Sequence, residues 1–427
     1  MRDTPKSAKV DIDSFTYFVI LSVNTDKNMN ILKKIYCRAF QVCFRIALPF
    51  LPYRQPKIIS SIEELPSVLS EQKIKKVLLI TDSQLRGLTS SLEELLPECG
   101  IECAVYDKTK PNPTVSNVEE AFECYRSQNC QALIAFGGGS SMDCAKAVGV
   151  KVVHPKKNLS QLKGILKVRK KLPFIAAIPT TAGTGSEVTL AAVITDEKTC
   201  YKYPINDFPL IPKVAVLDPK VTFTLPKSLT ATTGMDALTH AVEAYIGRST
   251  TKQTRLWAVQ AVKLIFENIE TAYNNGYSEK ARRNMLIASN MAGNAFSRSY
   301  VGYVHAVAHS LGGAYNIPHG LANSVLLPVV LEAYGNAVYK KLKKLAVGAG
   351  LCSKTETEET AARKFIGRIY ELNEKMGIPK TLKGIKEEDI PLLAKRADKE
   401  ANPLYPVPVE WNARELEKFY YEVKEND

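Results

Sequence analysis

Four of the five histidines in the 427-residue chain fall in two short motifs. In GMDALTHAVEAY (234–245), Asp236 and His240 stand four residues apart, which sets both on one face of a helix. The segment VHAVAHSLGGAYNIPH (304–319) repeats that spacing with His305 and His309, and His319 follows ten residues later, past a Gly-Gly pair and a proline. One carboxylate and three imidazoles suit a divalent ion of intermediate softness, Fe(II) or Zn(II). A histidine and carboxylate set without thiolates is more often catalytic than structural. One such histidine alone would be an ordinary hydrogen-bonded, partly buried side chain. Four in two Gly- and Ala-rich helical segments reverse that expectation, and His154, outside both motifs, keeps it.

A second constellation suits phosphate. AFGGGSSMDCAKAVG (135–149) places Gly137, Gly138 and Gly139 between an expected strand and an expected helix, where glycine lets the backbone approach a pyrophosphate and the free helix-start amides favour its charge. The GxGxxG pattern fails, because Met142 stands where the third glycine would be. On its own the string is equally a tight turn with Asp143 as a helix cap. PTTAGTGSE (179–187) also follows a strand, and its small hydroxyl and glycine residues offer further donors and a shallow floor for a flat ring. Asp82 follows the strand KVLLIT (76–81), where a carboxylate can bond both ribose hydroxyls of NAD and repel the extra phosphate of NADP; it can equally cap a helix.

Short β-branched runs must position these groups. Besides KVLLIT they are ECAVY (102–106), ALIAF (132–136), FIAAI (174–178) and VAVL (214–217), separated by helix-length segments. That alternation indicates βαβ units and a parallel sheet covered on both faces. After Asp218 strand signals cease, and Thr230 to about Lys424 has helical periodicity broken by Gly and Pro. The expected architecture is α/β plus all-α: an extension at 1–55, an α/β nucleotide-binding domain at 56–225, and a helical metal-binding domain at 226–427. Within the extension, NILKKIYCRAFQVCFRIALPF (30–50) has the spacing of a basic amphipathic helix. Its apolar face is expected to bury against the body or a second subunit, with membrane-surface attachment as the alternative.

Composition narrows the function classes. With 45% hydrophobic and 24% charged residues the chain has material for a large core, so disordered, collagen-like and coiled-coil classes are excluded. A net charge of +13 would ordinarily suggest a polyanion as partner. However, residues 1–60 hold ten Lys or Arg against four Asp, and residues 144–186 hold nine basic residues and no acid, so the remaining body is close to neutral. Most of the second group lies in 156–171, which suggests a solvated helix and loop. Nucleic acid is therefore not an expected partner. Nine cysteines with no CxxC pair fit neither a zinc finger nor a secreted disulfide framework, which points to a reducing cytoplasm. The apolar run Phe18–Val23 is short and lacks a signal-peptide cleavage site, and no stretch approaches a membrane span.

GGGSSMD, PTTAGTGSEVT, GMDALTHAVEAY and HAVAHSLGGAYNIPHG together resemble the iron-containing (group III) alcohol dehydrogenase family, in its order and spacing, over about residues 56–427. The resemblance implies a Rossmann-like dinucleotide-binding domain, a helical metal-binding domain and an active site in the cleft between them, with Asp236, His240, His305 and His319 holding the metal and His309 near substrate and nicotinamide. It places Asp82, Asn112, Gly138, Gly139, Ser140, Asp143, Thr180, Thr181, Thr184 and Lys202 along the cofactor. The implied activity is NAD-linked interconversion of an alcohol and its aldehyde or ketone, NADP being the lesser expectation, by a homo-oligomer. Phe296, Arg298, Tyr300 and Tyr303, just before His305, are expected to line the substrate pocket. Short linear alcohols, a diol such as propanediol, or lactaldehyde would all be compatible. The competing classes are a polyol dehydrogenase or NAD-using lyase of related fold, and a membrane- or nucleic-acid-associated binding protein on a dehydrogenase fold. The complete ligand set favours the enzyme.

Overall fold

The computed structural model describes residues 31–198 and 201–425. The run Phe18–Val23, the first thirty residues of the expected extension, and Cys200 lie outside them. The first element is helix α1 (Ile31–Ala47). An α/β region follows, built on a six-stranded sheet of β1 (Lys57–Ile59), β2 (Lys76–Ile80), β3 (Glu102–Tyr106), β4 (Ala132–Gly137), β6 (Phe174–Pro179) and β9 (Val214–Val216). The strand order is β1-β9-β6-β4-β2-β3 and every pairing is parallel. Both faces are buried. Leu133 and Ala135 of β4 enter one core while Ala132, Ile134 and Phe136 enter the other, the two-residue alternation of a strand between helix layers. From β2 the chain first moves outward to β3 and then crosses back to β4, so the strand order reverses between β2 and β4. In open α/β sheets, ligands bind at the carboxyl ends on either side of such a reversal.

Sequence patterning missed β1, three residues long, and a second sheet of β5 (Gly164–Ile165), β7 (Ala191–Asp196) and β8 (Tyr201–Asn206). The stretch 156–171 also differs from expectation. It contains one turn of 3-10 helix at Leu159–Leu162, strand β5 and loop, with Leu159, Leu162 and Val168 buried. Those three apolar side chains, spaced irregularly among the lysines, pin it to the body. His154 keeps its structural role, its Nε2 lying 2.7 Å from the Val168 carbonyl oxygen.

Beyond β9 every regular element is helical. Those that matter for the site are α6 (Lys227–Ile246), α7 (Lys252–Asn274), α8 (Glu279–Ser299), α9 (Tyr303–Tyr315), α10 (His319–Tyr334) and, near the carboxyl end, α13 (Ile390–Ala401). They share a single core, in which Leu238, Val242, Ile265, Leu327 and Phe365 are fully enclosed. Helix α6 runs through its middle, with fifteen of its twenty residues buried.

Helix α1 corrects the expectation for the extension. It docks on the body by a mixed side, where Cys37, Gln41 and, in the turn that ends it, Leu48 are buried and Phe44 packs on Tyr300, with charged side chains beside them. Arg38 pairs with buried Glu410 and donates to the Val407 and Pro408 carbonyl oxygens, while Lys33 pairs with Asp398. Gln41 is buried and donates to the Tyr405 carbonyl oxygen. Its apolar face is left outward.

Candidate active site

Asp236 and His240 project from the same face of α6, His305 and His309 sit one turn apart on α9, and His319 opens α10 after Pro318. The three helices converge so that one donor atom each from Asp236, His240, His305 and His319 lies within 4.8 Å of the others. Asp236 Oδ1 is 3.8 Å from His305 Nε2 and 3.4 Å from His319 Nε2. The rings are layered, His240 stacking on Phe296 at 4.1 Å and on His305 at 4.5 Å.

The electrostatics of this cluster suit a cation other than a proton. Burial pushes the imidazoles of His240 and His305 below the usual histidine range and that of His319 down to about 4, so all three are held neutral, the form that ligates a metal. Asp236 Oδ1, His305 Nε2 and His319 Nε2 all face the single amide nitrogen of Asn323, at 2.7, 3.2 and 3.1 Å. His240 Nδ1 and Asn323 Oδ1 are buried without a partner among the described residues. Several lone pairs thus meet around one donor, a surplus that a divalent ion would relieve.

Two carboxylates stand behind the imidazoles. Glu243, seven residues after Asp236 on the same face of α6, accepts from the Gly302 and Val304 amides at 2.8 Å each and lies 2.6 Å from His305 Nδ1. This arrangement fixes the ring and directs Nε2 at the cluster. Burial raises the Glu243 carboxyl to about 7, against the pull of those amides. Glu243→Gln is expected to weaken metal retention about 10- to 100-fold with the fold intact, the usual scale for a group that orients a metal ligand. Competition against a graded series of chelators measures this, and wild-type retention would remove the orienting role.

Glu400, at the end of α13, lies 2.6 Å from His309 Nδ1 and accepts from the Tyr405 hydroxyl at 2.7 Å. Burial works to lower the His309 pKa, but the charge and hydrogen bond of Glu400 and the charges of Asp236 and Glu243 together outweigh it and the net shift is upward. The side chain of His309 is 42% exposed where that of His305 is 2%. His309 is thus at the mouth of the cluster, with a partner to stabilise its charged form and access to what enters. Neither Glu243 nor Glu400 was singled out in the sequence. The i, i+7 spacing from Asp236 offered a signal for Glu243, as the i, i+4 spacing from His319 did for Asn323. Glu400, 91 residues from its partner, offered none.

The dinucleotide expectations gather at the carboxyl edge of the large sheet. Helix α5 (Gly139–Val153) starts directly after β4 with Gly138 as its cap, and its first backbone bond runs from the Met142 amide to the Gly138 carbonyl. The amides of residues 139–141 are therefore free of the helix ladder, as an anion site requires. A side chain on Gly139 would come within 3.0 Å of Thr184, so glycine there lets the two loops approach. The Thr180 amide donates to the Gly137 carbonyl and the Asn112 amide to the Ser140 hydroxyl, which gathers the loops after β3, β4 and β6. Asp82 Oδ1 caps the turn after β2, accepting from the Gln84 and Leu85 amides, so the two roles proposed for this residue are compatible within one carboxylate. Lys202 on β8 is paired with Thr195 of β7, whose amide donates to Pro113, and this sets it beside the Asn112 loop.

Asp143 departs from expectation. One turn behind the helix start, its carboxylate accepts from the Ser186 hydroxyl and the Val193 amide, bracing the loop after β6 from behind instead of lining the cleft. The stronger brace is Lys146, unmarked in the sequence among other lysines. Fully buried, its Nζ donates to the carbonyls of Ser186, Thr189 and Ala191 and to the hydroxyls of Ser186 and Thr189. The same loop reaches the metal cluster. Glu187 accepts from Asn290 of α8 at 3.1 Å, Gly185 at φ +58° is pressed against Gly293, and Gly183 is pressed against Thr233 of α6, three residues before Asp236.

Of the four expected substrate-pocket residues, Phe296 is against His240, and Tyr300 stands between Phe44 of α1 and Tyr405. The other two are elsewhere. The Arg298 guanidinium lies over the rings of Tyr53 and Trp257, because two residues along a helix from Phe296 it leaves the opposite side of α8. Tyr303 is fully enclosed, its hydroxyl held by Asn402 and Trp411, and it anchors the start of α9 in the core.

A family model described as iron-containing alcohol dehydrogenase matches residues 58–219, and one described as the C-terminal part of the Fe-containing alcohol dehydrogenase family matches residues 230–423. A 1,3-propanediol dehydrogenase from Citrobacter freundii is 39% identical, over 88% of this chain and 98% of its own. An NAD-dependent methanol dehydrogenase from Bacillus methanolicus is 38% identical, over 79% of this chain and 89% of its own. A solved 1,3-propanediol oxidoreductase superposes with a TM-score of 0.83 at 38% identity, over 87% of this chain and 99% of that one.

Proposed function

The chain belongs to the iron-containing alcohol dehydrogenase family, and from that premise we propose that it interconverts short primary alcohols or terminal diols with their aldehydes, using NAD and Fe(II). The observation that carries this reading is the junction of two sites: the glycine-rich loop after β6, which faces the switch point of the sheet, packs Gly183 against Thr233 of α6, the helix that carries Asp236 and His240, and Gly185 against Gly293 of α8. A hydride donor and acceptor held on either side of that junction would meet. In this reading residues 56–225 bind the dinucleotide, and residues 226–427 provide Asp236, His240, His305 and His319 as ligands. Bound there, the metal would supply Lewis acidity, which lowers the pKa of an alcohol.

The chain's own residues do the rest. Thr180, Thr181 and Thr184 offer hydroxyls and a flat floor to the nicotinamide, whose redox chemistry belongs to the cofactor. Gly138, Gly139 and Ser140 offer free helix-start amides to the pyrophosphate, and Asn112 and Lys202 flank them. His309, backed by Glu400, is the group at the mouth that can take up the alcohol proton and release it to solvent. Phe296 limits the pocket beside His240, which favours small substrates. Fe(II) is the ion that membership of the iron-containing family suggests, and three imidazoles with one carboxylate also suit Zn(II). Asp82 favours NAD over NADP by charge repulsion. Homo-oligomeric assembly and a cytoplasmic location belong to the same reading, and the eight described cysteines, all unpaired, agree with a reducing compartment.

The test is turnover by anaerobically purified, Fe(II)-loaded protein with methanol, propanol, 1,3-propanediol and lactaldehyde, with NAD and with NADP. NADH formation is expected with at least one alcohol, with kcat/KM about tenfold or more above that for NADP. In Asp82→Gly that preference is expected to shrink, because the repelling charge is gone. Metal-loaded protein that forms no NADH from any alcohol and consumes none with any aldehyde would sink the dehydrogenase reading. A preference for NADP in the unmodified chain would remove the role given to Asp82.

A further inference from the structure

Sixteen large apolar side chains are exposed among the described residues, and six of them belong to α1 and the turn that ends it. Ile31, Leu32, Ile35, Val42, Ile46 and Phe50 are between 47 and 84% exposed, whereas the other ten are spread over the rest of the body. At 100° per residue, Ile31, Leu32, Ile35, Val42 and Ile46 fall within about a third of the helix circumference, an arc that Ala39 and Cys43 continue without a polar residue. The arc runs the length of the helix, about 25 Å. The opposite side meets the body through Cys37, Gln41 and Phe44, with Arg38 at the edge of the arc reaching across to Glu410. The helix therefore packs one side, with Cys37 and Phe44, on the body and leaves a second, wholly apolar arc bare. A contiguous patch of several hundred Å² of this kind marks an interaction site on a soluble protein.

The charges around the patch choose its partner. No Asp or Glu occurs between Asp26 and Glu63, and α1 itself carries Lys33, Lys34, Arg38 and Arg45. The body already supplies counter-ions for Lys33 and Arg38, in Asp398 and Glu410. Lys34 and Arg45 remain, on one border of the apolar arc. A second copy of the helix packed face to face and antiparallel about a twofold axis would bring the cationic border of one copy beside the same border of the other, with no acid on either helix to separate them. An anionic lipid surface offers the complement, with acyl chains for the arc and phosphates for the border. No helix among the described residues is long and apolar enough to cross a membrane, so the contact is with the surface.

We propose that α1 docks the protein on anionic phospholipid membranes, lying in the plane of the interface with Ile31, Leu32, Ile35, Val42, Ile46 and Phe50 inserted and Lys34 and Arg45 at the headgroups. The test is flotation of the full chain with vesicles of phosphatidylcholine alone and of phosphatidylcholine with one-quarter phosphatidylglycerol, alongside analytical ultracentrifugation without lipid. Flotation is expected only with the anionic vesicles. It should fall roughly tenfold in Ile35→Glu/Ile46→Glu, since two inserted side chains become charged, while sedimentation mass and cofactor turnover stay unchanged. A chain that stays with the soluble fraction in both cases would overturn the proposal. Equal flotation with neutral vesicles would overturn the anionic recognition. A double variant whose sedimentation mass drops, from a parent that binds no vesicles, would assign the face to a second copy instead.

Discussion

His305→Ala is expected to leave a protein that folds but retains no stoichiometric iron, with turnover lowered by about 10³-fold or more. Loss of Lewis acidity alone accounts for several kcal/mol of barrier, and each 1.4 kcal/mol is about a factor of ten. His305 is the ligand most completely determined by its surroundings. It is buried, held neutral by burial and by the neighbouring histidines, and oriented through Nδ1 by Glu243. Alanine removes one donor and leaves the Glu243 carboxyl facing a gap, where a pKa already raised to about 7 lets it take a proton instead of remaining a buried charge. His154→Ala is the control, because His154 bonds only the Val168 carbonyl far along the chain from the cluster. Metal analysis after anaerobic purification, followed by turnover with added Fe(II), provides the measurement. Undiminished metal content in His305→Ala would mean that the ligand assignment is wrong.

The second large effect is expected at Lys146. Lys146→Met should cost about 3–5 kcal/mol of stability, the range for breaking a buried charged network by removing one partner. The ammonium group holds three carbonyls and two hydroxyls of the stretch 186–191, and it faces the buried carboxylates of Asp143 and Glu187. Methionine fills a similar volume but satisfies none of those acceptors, and the two carboxylates lose their counter-ion. Burial already pulls the Lys146 amine down to about 8 from 10.5. Because that folded value lies below the unfolded one, the unfolded chain binds more protons between pH 8 and 10.5, and in the parent protein this group adds stability as pH rises through that window. The variant should lack that increment. Urea unfolding at pH 7 and pH 9.5 measures both effects, and the Michaelis constant for NAD should rise because the braced loop carries Thr180 to Thr184. Wild-type stability at pH 7 together with a wild-type constant would show that the loop holds itself.

Lys146 and its neighbours also bear on the basic segment 144–186, with its nine cations and no acid. Lys146 is spent inside the fold, and Lys151 is buried against Glu119 and the Pro155 and Lys157 carbonyls. Charge counted along a chain does not say which charges reach solvent. Composition misled in the same way over α1. Its hydrophobic periodicity was visible, but the direction in which the helix would turn was not, because that depends on Asp398, Tyr405 and Glu410, more than 350 residues away.

The residues and spacings carried a good deal by themselves. Continuous apolar runs with helix-length gaps dictate a parallel sheet between helix layers, since such strands have two faces to bury. Pairs at i, i+4 dictate shared helix faces, so Asp236 with His240, and His305 with His309, were bound to project together. What tertiary structure alone decided was convergence. It brought α6, α9 and α10 to one point, put Glu243 and Glu400 behind two of the imidazoles, turned Arg298 and Tyr303 away from the pocket, and set Gly183 of one region against Thr233 of the other. Local sequence fixes a side chain's direction relative to its own element because backbone geometry is periodic. The distance between elements follows from how whole cores pack, and no spacing along the chain records it.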